Sequence, residues 1–286
     1  MIALADGWKD YSVIATGDGY KLERWGEVVL LRPDPQVIWK SERDLFAYPS
    51  INAVYRRSEK GGGAWEIKKR MPESWNVSYR DLTFKIKPMG FKHTGLFPEQ
   101  AVNWERTGAL VKNAGRPIKV LNLFAYTGGA TVALAKAGAE VVHVDAAKGM
   151  VERAGENARL SGIESGIRYI VDDCKKFVQR EIRRGNRYDA IVMDPPSYGR
   201  GPSGEMWKIE TELYPFVQLC TEVLSDDPLF FLINSYTTGL QPAVLQNILT
   251  LCLKGRKGTY DAYEVGLPTE EGICLPCGAG GIYINE

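Results

Sequence analysis

From residue 117 onward the chain alternates between two rhythms. Apolar runs of five to seven residues, at 118–124, 140–145, 188–194 and 229–234, are separated by stretches of helical period at 147–160, 174–184 and 207–224. Strands apolar along their whole length are buried on both faces, and strands that alternate with helices form parallel crossover units. The tail from Thr259 to Glu286 holds two more strand-like segments with no helix between them, which predicts an antiparallel pair closing an otherwise parallel sheet. The fold class expected is α/β, with a doubly wound, mostly parallel sheet. A ligand of such a sheet lies beyond the carboxyl ends of the strands, where the strand order reverses.

The front of the chain follows a different pattern. "GDGYKLERWGEVVLLRPDPQVIW" (17–39) alternates like paired strands after a Gly-Asp-Gly turn and stops at a Pro-Asp-Pro break. "KGGGAWEIKKR" reads as a turn and a strand, and "WNVSYRDLTFKIKP" as two strands around Arg80–Asp81, with one helix expected near 40–47. The expected organisation is a β-rich module over 1–90, acting on substrate or as a lid, a connecting segment over 91–116, and a catalytic domain over 117–286.

Composition adds limits. With 44% hydrophobic and 25% charged residues the 286-residue chain reads as an ordinary globule. Its formal net charge of +1 does not announce a polyanion partner, but the distribution is uneven: about 19 Lys+Arg face 14 Asp+Glu in residues 1–116, against about 17 and 21 in the remainder. No stretch approaches the length of a bilayer span, and the first residues lack the basic and apolar regions of an export leader, so a cytoplasmic protein without a membrane partner is expected. The five cysteines are expected as free thiols. "CLPC" (274–277) has the spacing of a redox or metal pair but no second ligand pair, and neither His93 nor His143 is near it in sequence; no metal is expected.

The candidate chemistry lies at the ends of the apolar runs. In "KVLNLFAYTGGATVALAKAGAEVVHVDAAKG" (119–149), Gly128 and Gly129 follow the first parallel strand, where a bare backbone permits a sharp turn and close approach of amides to a ligand. A tight turn without any ligand would account for them too. Asp145 ends the second strand, where a carboxylate can accept hydrogen bonds from both hydroxyls of a ribose. The loop lacks the full G-x-G-x-x-G spacing, which disfavours a dinucleotide. "YIVDDCKKF" ends the third strand with Asp172 and Asp173, as acceptors for an adenine amino group or, for Asp172, as the cap of the next helix. "YDAIVMDPPSYGRG" ends the fourth with Asp194, Pro195, Pro196 and Tyr198, the two prolines terminating the ladder and holding an acid and an aromatic at the exit.

These segments together resemble the class I S-adenosylmethionine-dependent methyltransferases. "LNLFAYTGG", "VVHVDAAKG", "VDDC" and "MDPPSYGRG" are similar, in order and spacing, to the motifs of the branch holding the large-subunit ribosomal RNA methyltransferases of cytosine-5 and guanine-N7 type and their uncharacterised relatives. "GFKHTGLFPEQ" (90–100) resembles the Gly-x-Lys-Thr-Gly-x-Phe-x-x-Gln segment that precedes their core. The resemblance implies a seven-stranded Rossmann-like methyltransferase sheet, S-adenosyl-L-methionine as cofactor, and a chain without the RNA-binding PUA module that opens many members. It implies that Asn122, Phe124, Gly128 and Gly129 surround the methionine portion, with Tyr126 and Thr127 also binding the cofactor, that Asp145 holds the ribose and Asp173 the adenine, and that Asp194 lies near both sulfonium and acceptor. Thr94 and Gln100 are implied to close the site.

The acceptor atom is the least determined part. A carboxylate followed by Pro-Pro and an aromatic suits a nitrogen acceptor, with Tyr198 stacked on a base. Cytosine-5 chemistry needs a thiolate, and Ser235 and Thr237 stand where relatives of that type place cysteines. The expected function is therefore RNA methylation, with a ribosomal RNA base nitrogen favoured. A small-molecule or protein methyltransferase and a non-catalytic cofactor-binding protein are the alternatives. "SYGRGPSGEMWKIE" (197–210) reads either as a flap contacting RNA or as a turn in which Trp207 anchors the next helix. "YRRSEKGGG" and "IKKRMPESW" read either as a nucleic-acid face or as an exposed hairpin. Nothing in the sequence fixes the oligomeric state.

Overall fold

The computed structural model describes residues 1–58, 62–200 and 206–286. They divide into two compact units: Leu4–Ala101 with Gly266–Cys277, and Met1–Ala3 with Val102–Val265 and Gly278–Glu286.

Strand β1 (Ile2–Leu4) joins the large sheet described below. In the N-terminal unit, β2 (Tyr11–Gly17), β3 (Tyr20–Trp25), β4 (Val28–Pro33), β5 (Ile51–Arg57) and β6 (Gly63–Ile67) form one sheet in that order. Neighbours are antiparallel except β4 and β5, which run parallel. A separate hairpin pairs β7 (Trp75–Tyr79) with β8 (Leu82–Ile86) around Arg80–Asp81. The helix expected near 40–47 is only a 3₁₀ turn, Leu45–Ala47, capped by Asp44 Oδ1 accepting from the Phe46 amide at 2.9 Å. Pro49 explains the truncation, since it drives Tyr48 into extended backbone.

The two faces of this sheet differ chemically. One is apolar: Leu22 pairs with Leu31 and Leu31 with Val54, and these pack with Ala15, Val29, Leu45 and Ile51. The other buries charge. Glu23 receives two hydrogen bonds from Arg32, through Nε at 2.6 Å and Nη2 at 2.7 Å, and a third from the Tyr11 hydroxyl at 2.7 Å. Lys21 lies 3.1 Å from Asp34. Burial works to raise the Glu23 carboxyl, but the charges of Arg32 and Lys21 and these hydrogen bonds overcome it and hold it down at about 2. A buried acid is tolerated because its lone pairs are taken by a planar guanidinium and a phenol.

In the other unit the helices are α1 (Ala101–Asn113), α2 (Gly129–Lys136), α3 (Lys148–Leu160), α4 (Cys174–Arg183), α5 (Ile209–Thr221) and α6 (Pro242–Cys252). Its strands are β9 (Lys119–Leu123), β10 (Glu140–Asp145), β11 (Ile167–Val171), β12 (Ala190–Met193), the short pair β13 (Tyr198–Arg200) and β14 (Met206–Lys208), then β15 (Phe230–Ser235), β16 (Thr259–Pro268) and β17 (Cys274–Ile284). Among the described residues eight strands form the sheet, in the order β1-β16-β17-β15-β12-β9-β10-β11. Strands β11, β10, β9, β12 and β15 are parallel, and β17 is antiparallel to β15. The seven expected strands are present; β1 is an eighth, too short to carry a signal of its own. Alternate residues of each central strand feed two cores. Leu121, Leu123, Ile191 and Met193 pack with Phe177, Phe216 and Leu245 of α4, α5 and α6, while Val120, Val192 and Leu232 pack with Val111 and Leu134 of α1 and α2. Burial on both faces is why these runs are apolar without alternation.

"CLPC" opens β17, where extended chain carries residues three apart by about 10 Å. That exceeds the reach of a disulfide, about 7 Å between Cα atoms. Among the described residues no helix is long and apolar enough to cross a membrane.

Replacing Arg32 by methionine strands a buried carboxylate. Urea unfolding is expected to show a loss of about 3–5 kcal/mol. The lowered pKa of Glu23 adds stability that is complete above its unfolded value near 4.5 and is lost as pH falls toward about 2. Glu23→Gln should abolish that part of the acid dependence.

Candidate active site

Strand order reverses at β9, which pairs with β10 on one side and β12 on the other. The turn from β9 into α2 therefore opens at the crevice where such sheets take ligands. Its backbone is unusual: Phe124 (φ 54°), Tyr126 (φ 50°) and Gly128 (φ 81°) are all left-handed. Two bulky residues in that region are held against strain of order 1–3 kcal/mol each, and the bonds that hold them are visible. The Phe124 amide donates to Cys174 Sγ at 3.2 Å, the Ala125 amide to Val144 O at 3.1 Å, and the Tyr126 amide to Asp145 Oδ2 at 2.8 Å. Asn157 of α3 donates to Thr127 O at 2.8 Å.

The glycines are bare for a reason the sequence did not supply. A Cβ on Gly128 would stand 2.8 Å from Ala154 Cβ of α3, and one on Gly129 would stand 2.7 Å from the Trp104 ring of α1. Close packing of helices on the turn, together with the positive φ at Gly128, requires both. The Gly128 amide donates to Ala125 O at 3.0 Å, while the Gly129 amide belongs to the first turn of α2, whose N–H groups lack intrahelical partners.

Beneath the turn lies a buried chain of polar groups. Asn122, only 3% exposed, donates through Nδ2 to Thr131 Oγ1 at 2.8 Å, and Thr131 Oγ1 lies 2.9 Å from His143 Nδ1. The Thr131 oxygen accepts from Asn122, and the direction of its bond with His143 follows the imidazole tautomer. Burial pushes His143 down to about 4, so it is neutral. Asn122 thus braces the turn from below, a less direct place than the sequence expectation of a loop residue around the cofactor.

Asp145 ends β10 with both oxygens engaged: Oδ2 takes the Tyr126 amide and Oδ1 the Ala147 amide at 2.8 Å. Burial raises its pKa, and these two bonds oppose the rise. Each oxygen keeps a further lone pair, enough for two hydroxyl donors. At the end of β11 the roles of the two acids are divided. Asp173, not Asp172, caps α4, with Oδ1 accepting from the Lys176 amide at 2.9 Å, while Asp172 pairs with Arg180 and accepts from the Asp173 amide at 2.9 Å. Cys174 is fully buried and its thiol is held far above its usual pKa by burial.

Asp194 follows β12, half-buried, its amide 3.4 Å from Leu123 O. Pro195 is buried beneath it, and Pro196 and Ser197 are exposed. The Ser197 hydroxyl lies 2.7 Å from Thr237 Oγ1, which ties this loop to the exit of β15. Beyond it β13 and β14 pair as a hairpin, Tyr198 opposite Lys208 and Gly199 opposite Trp207. Trp207 is an anchor: its Nε1 donates to Pro196 O at 2.6 Å, and its ring packs with Phe124 and Phe216 at 5.1 and 5.6 Å. Tyr198, on the other face, is 50% exposed, and its hydroxyl donates to Met206 Sδ at 3.0 Å. Residues 201–205, the Arg200 side chain and residues 59–61 of the basic front segment lie outside the described residues.

Thr94 and Gln100 belong to the N-terminal unit and are buried there; among the described residues Thr94 Oγ1 has no hydrogen-bond partner.

A family model described as S-adenosylmethionine-dependent methyltransferase matches residues 52–209. The chain belongs to that family. A crystal structure of the SAM-dependent methyltransferase from Agrobacterium tumefaciens superposes with a TM-score of 0.94 at 34% identity, covering 100% of this chain and 94% of that one. Ribosomal RNA large subunit methyltransferase K of Neisseria meningitidis is 26% identical over 229 residues, 77% of this methyltransferase and 64% of that protein. Ribosomal RNA large subunit methyltransferase K/L of Pseudoalteromonas atlantica is 34% identical over 145 residues, 50% of this chain and 20% of that one. The methyltransferase therefore spans less than two thirds of the length of these curated relatives.

The strand-end acids and the loop fit this cofactor chemically: hydroxyl donors can meet Asp145, an amino group can meet the Asp173 oxygen not engaged by the cap, and the first-turn amides of α2 remain available. Sequence reasoning did not find Trp104, Thr131, His143, Ala154 or the role of Cys174, because each acts by packing or bonding across the fold.

Gly129→Ala is expected to weaken binding of S-adenosylhomocysteine and lower the melting temperature. Adding Trp104→Phe should recover part of both, as read by calorimetry, because the obstacle is the indole.

Proposed function

We propose that the protein transfers a methyl group from S-adenosylmethionine to a base nitrogen of ribosomal RNA. The observation that carries this reading is the exit of β12, where Asp194-Pro195-Pro196 is held beside the turn that follows β9 and the half-exposed Tyr198 follows on a hairpin. The names of the relatives support RNA as the substrate class.

The cofactor supplies a methyl group already activated at a sulfonium, so the protein's work is orientation and exclusion of water. Asp145 accepts from the ribose hydroxyls, Asp173 or Asp172 accepts from the adenine amino group, and the turn Phe124–Gly129 surrounds the methionine portion. Asp194 accepts an N–H of the target base and points the nitrogen lone pair at the methyl group, Pro195 and Pro196 fix that acid, and Tyr198 stacks on the base. Positioning of this kind lowers a barrier by several kcal/mol. The proton released on nitrogen passes to Asp194 or to solvent.

Asp145→Ala should weaken S-adenosylhomocysteine binding by about 100-fold or more, the value of two hydrogen bonds to a charged group. Asp194→Ala should leave that affinity nearly unchanged and lower the rate of tritiated methyl transfer to ribosomal RNA by about 100-fold. Methyl incorporation into protein or small molecules but not RNA would replace the substrate reading. Calorimetric binding of NADH in place of S-adenosylhomocysteine would replace the cofactor reading.

A further inference from the structure

Beside the cations that neutralise its buried acids, the N-terminal unit holds two more, Arg57 and Lys92. Lys21 pairs in register with Arg32, on the face of the sheet opposite the apolar core. Because β4 and β5 are parallel, their last residues, Pro33 and Arg57, finish at the same end of the sheet. The turn over residues 88–94 is fastened there. Arg32 Nη1 donates to Lys92 O at 2.9 Å, Trp65 Nε1 donates to Met89 O at 2.8 Å, and the Met89 amide donates to His93 O at 3.1 Å.

Glu23 and Asp34 are already engaged by Arg32 and Lys21, and Glu99 is buried nearby. Lys92 touches a neutral group, Nζ donating to Pro33 O at 3.3 Å, and among the described residues Arg57 forms no ion pair and is exposed. Burial, and then the like charges of Lys21, Arg32 and Arg57, lower the Lys92 ammonium to about 8, although Asp34 pulls the other way. A desolvated cation crowded by other cations is stabilised by an incoming anion. At the tip of the same turn Phe91 is 66% exposed, an apolar ring turned to water beside the charges.

We propose that Arg57 and Lys92 bind backbone phosphates of single-stranded RNA while Phe91 stacks on one of its bases. This combination of cations tracking the backbone and an aromatic platform is the chemistry by which proteins hold single strands without reading sequence. The inference deepens the RNA reading given above and rests on it. It assigns to the N-terminal unit the grip on RNA flanking the target.

The two contacts leave different signatures. Binding of a fluorescein-labelled 20-nucleotide single-stranded RNA to the full chain is followed by anisotropy from about 50 to 300 mM NaCl. Loss of two phosphate contacts in Arg57→Gln/Lys92→Gln should lower the slope of log K against log salt by about 1.4, since each is worth about 0.7 for a single strand. Phe91→Ala should weaken binding about five-fold or more with the slope unchanged. Both variants should bind S-adenosylhomocysteine as the parent does, which separates this result from misfolding. If the parent binds RNA with a salt-dependent slope and the variants match it, the proposed grip is wrong and the RNA methyltransferase reading stands. If the parent neither binds the oligonucleotide nor methylates ribosomal RNA, the RNA reading itself fails and takes this inference with it.

Discussion

The carboxyl edge of the large sheet depends on one constraint, the path of the backbone from Leu123 to Gly129. Three positions of that turn are left-handed, and two of them, Phe124 and Tyr126, are aromatic residues that would not hold such a conformation in isolation. The groups that enforce it come from every neighbouring element: Asp145 and Val144 from β10, Cys174 from the start of α4, Asn157 and Ala154 from α3, and Trp104 from α1. Strain held by this many partners is a form of preorganisation. The turn keeps its shape before a ligand arrives, and little ordering is left to oppose binding.

The same constraint changes how the chemical groups are assigned. Asp145 would be read from sequence as a residue waiting for a ribose, yet it already accepts two backbone amides and so builds the loop as well as serving it. Cys174 shows the opposite case. A cysteine beside a methyltransferase site invites a nucleophilic role, but its sulfur accepts the Phe124 amide and its thiol is pushed far up by burial. A thiol so placed supplies almost no thiolate at neutral pH. Its contribution is to the shape of the turn.

How much of this was legible follows from the range of the forces involved. The parallel strands were readable because burial on both faces makes local sequence apolar, as at Val120–Leu123 and Ala190–Met193. The positions of Asp145 and Asp194 were readable because a strand's last residue is fixed by where the apolar run ends. Helices α1 and α6 were not identified, since the buried stripe of α1 includes the polar or small residues Asn103, Thr107 and Gly108 and that of α6 is blurred by the exposed apolar residues Val244 and Leu251, and β1 was too short. The reason for the two glycines was also hidden: it lies in Trp104 and Ala154, respectively 25 residues before Gly129 and 26 after Gly128, and no local pattern carries such a contact. The division of labour between Asp172 and Asp173 turns on a single residue of helix phase, below the accuracy with which a helix start can be placed from sequence.

The placement of Trp207 bears on how the target base would be received. Its indole is fixed on both sides, by Pro196 O and by the rings of Phe124 and Phe216, so the segment after Asp194 is fastened to the turn after β9 through an aromatic cluster. The register of β13 and β14 then puts Tyr198 and Lys208 on the face away from Trp207. Trp207 is the inward, anchored ring and Tyr198 the outward, half-exposed one, so under the proposed function anchoring falls to Trp207 and stacking to Tyr198. Because Phe124 belongs to the strained turn, movement of that hairpin would disturb the turn itself. The turn after β9 and the loop after β12 are therefore one mechanical element, and under the proposed function a base seated against Tyr198 would meet an acid at Asp194 whose position is already set by the loop on the other side of the reversal point.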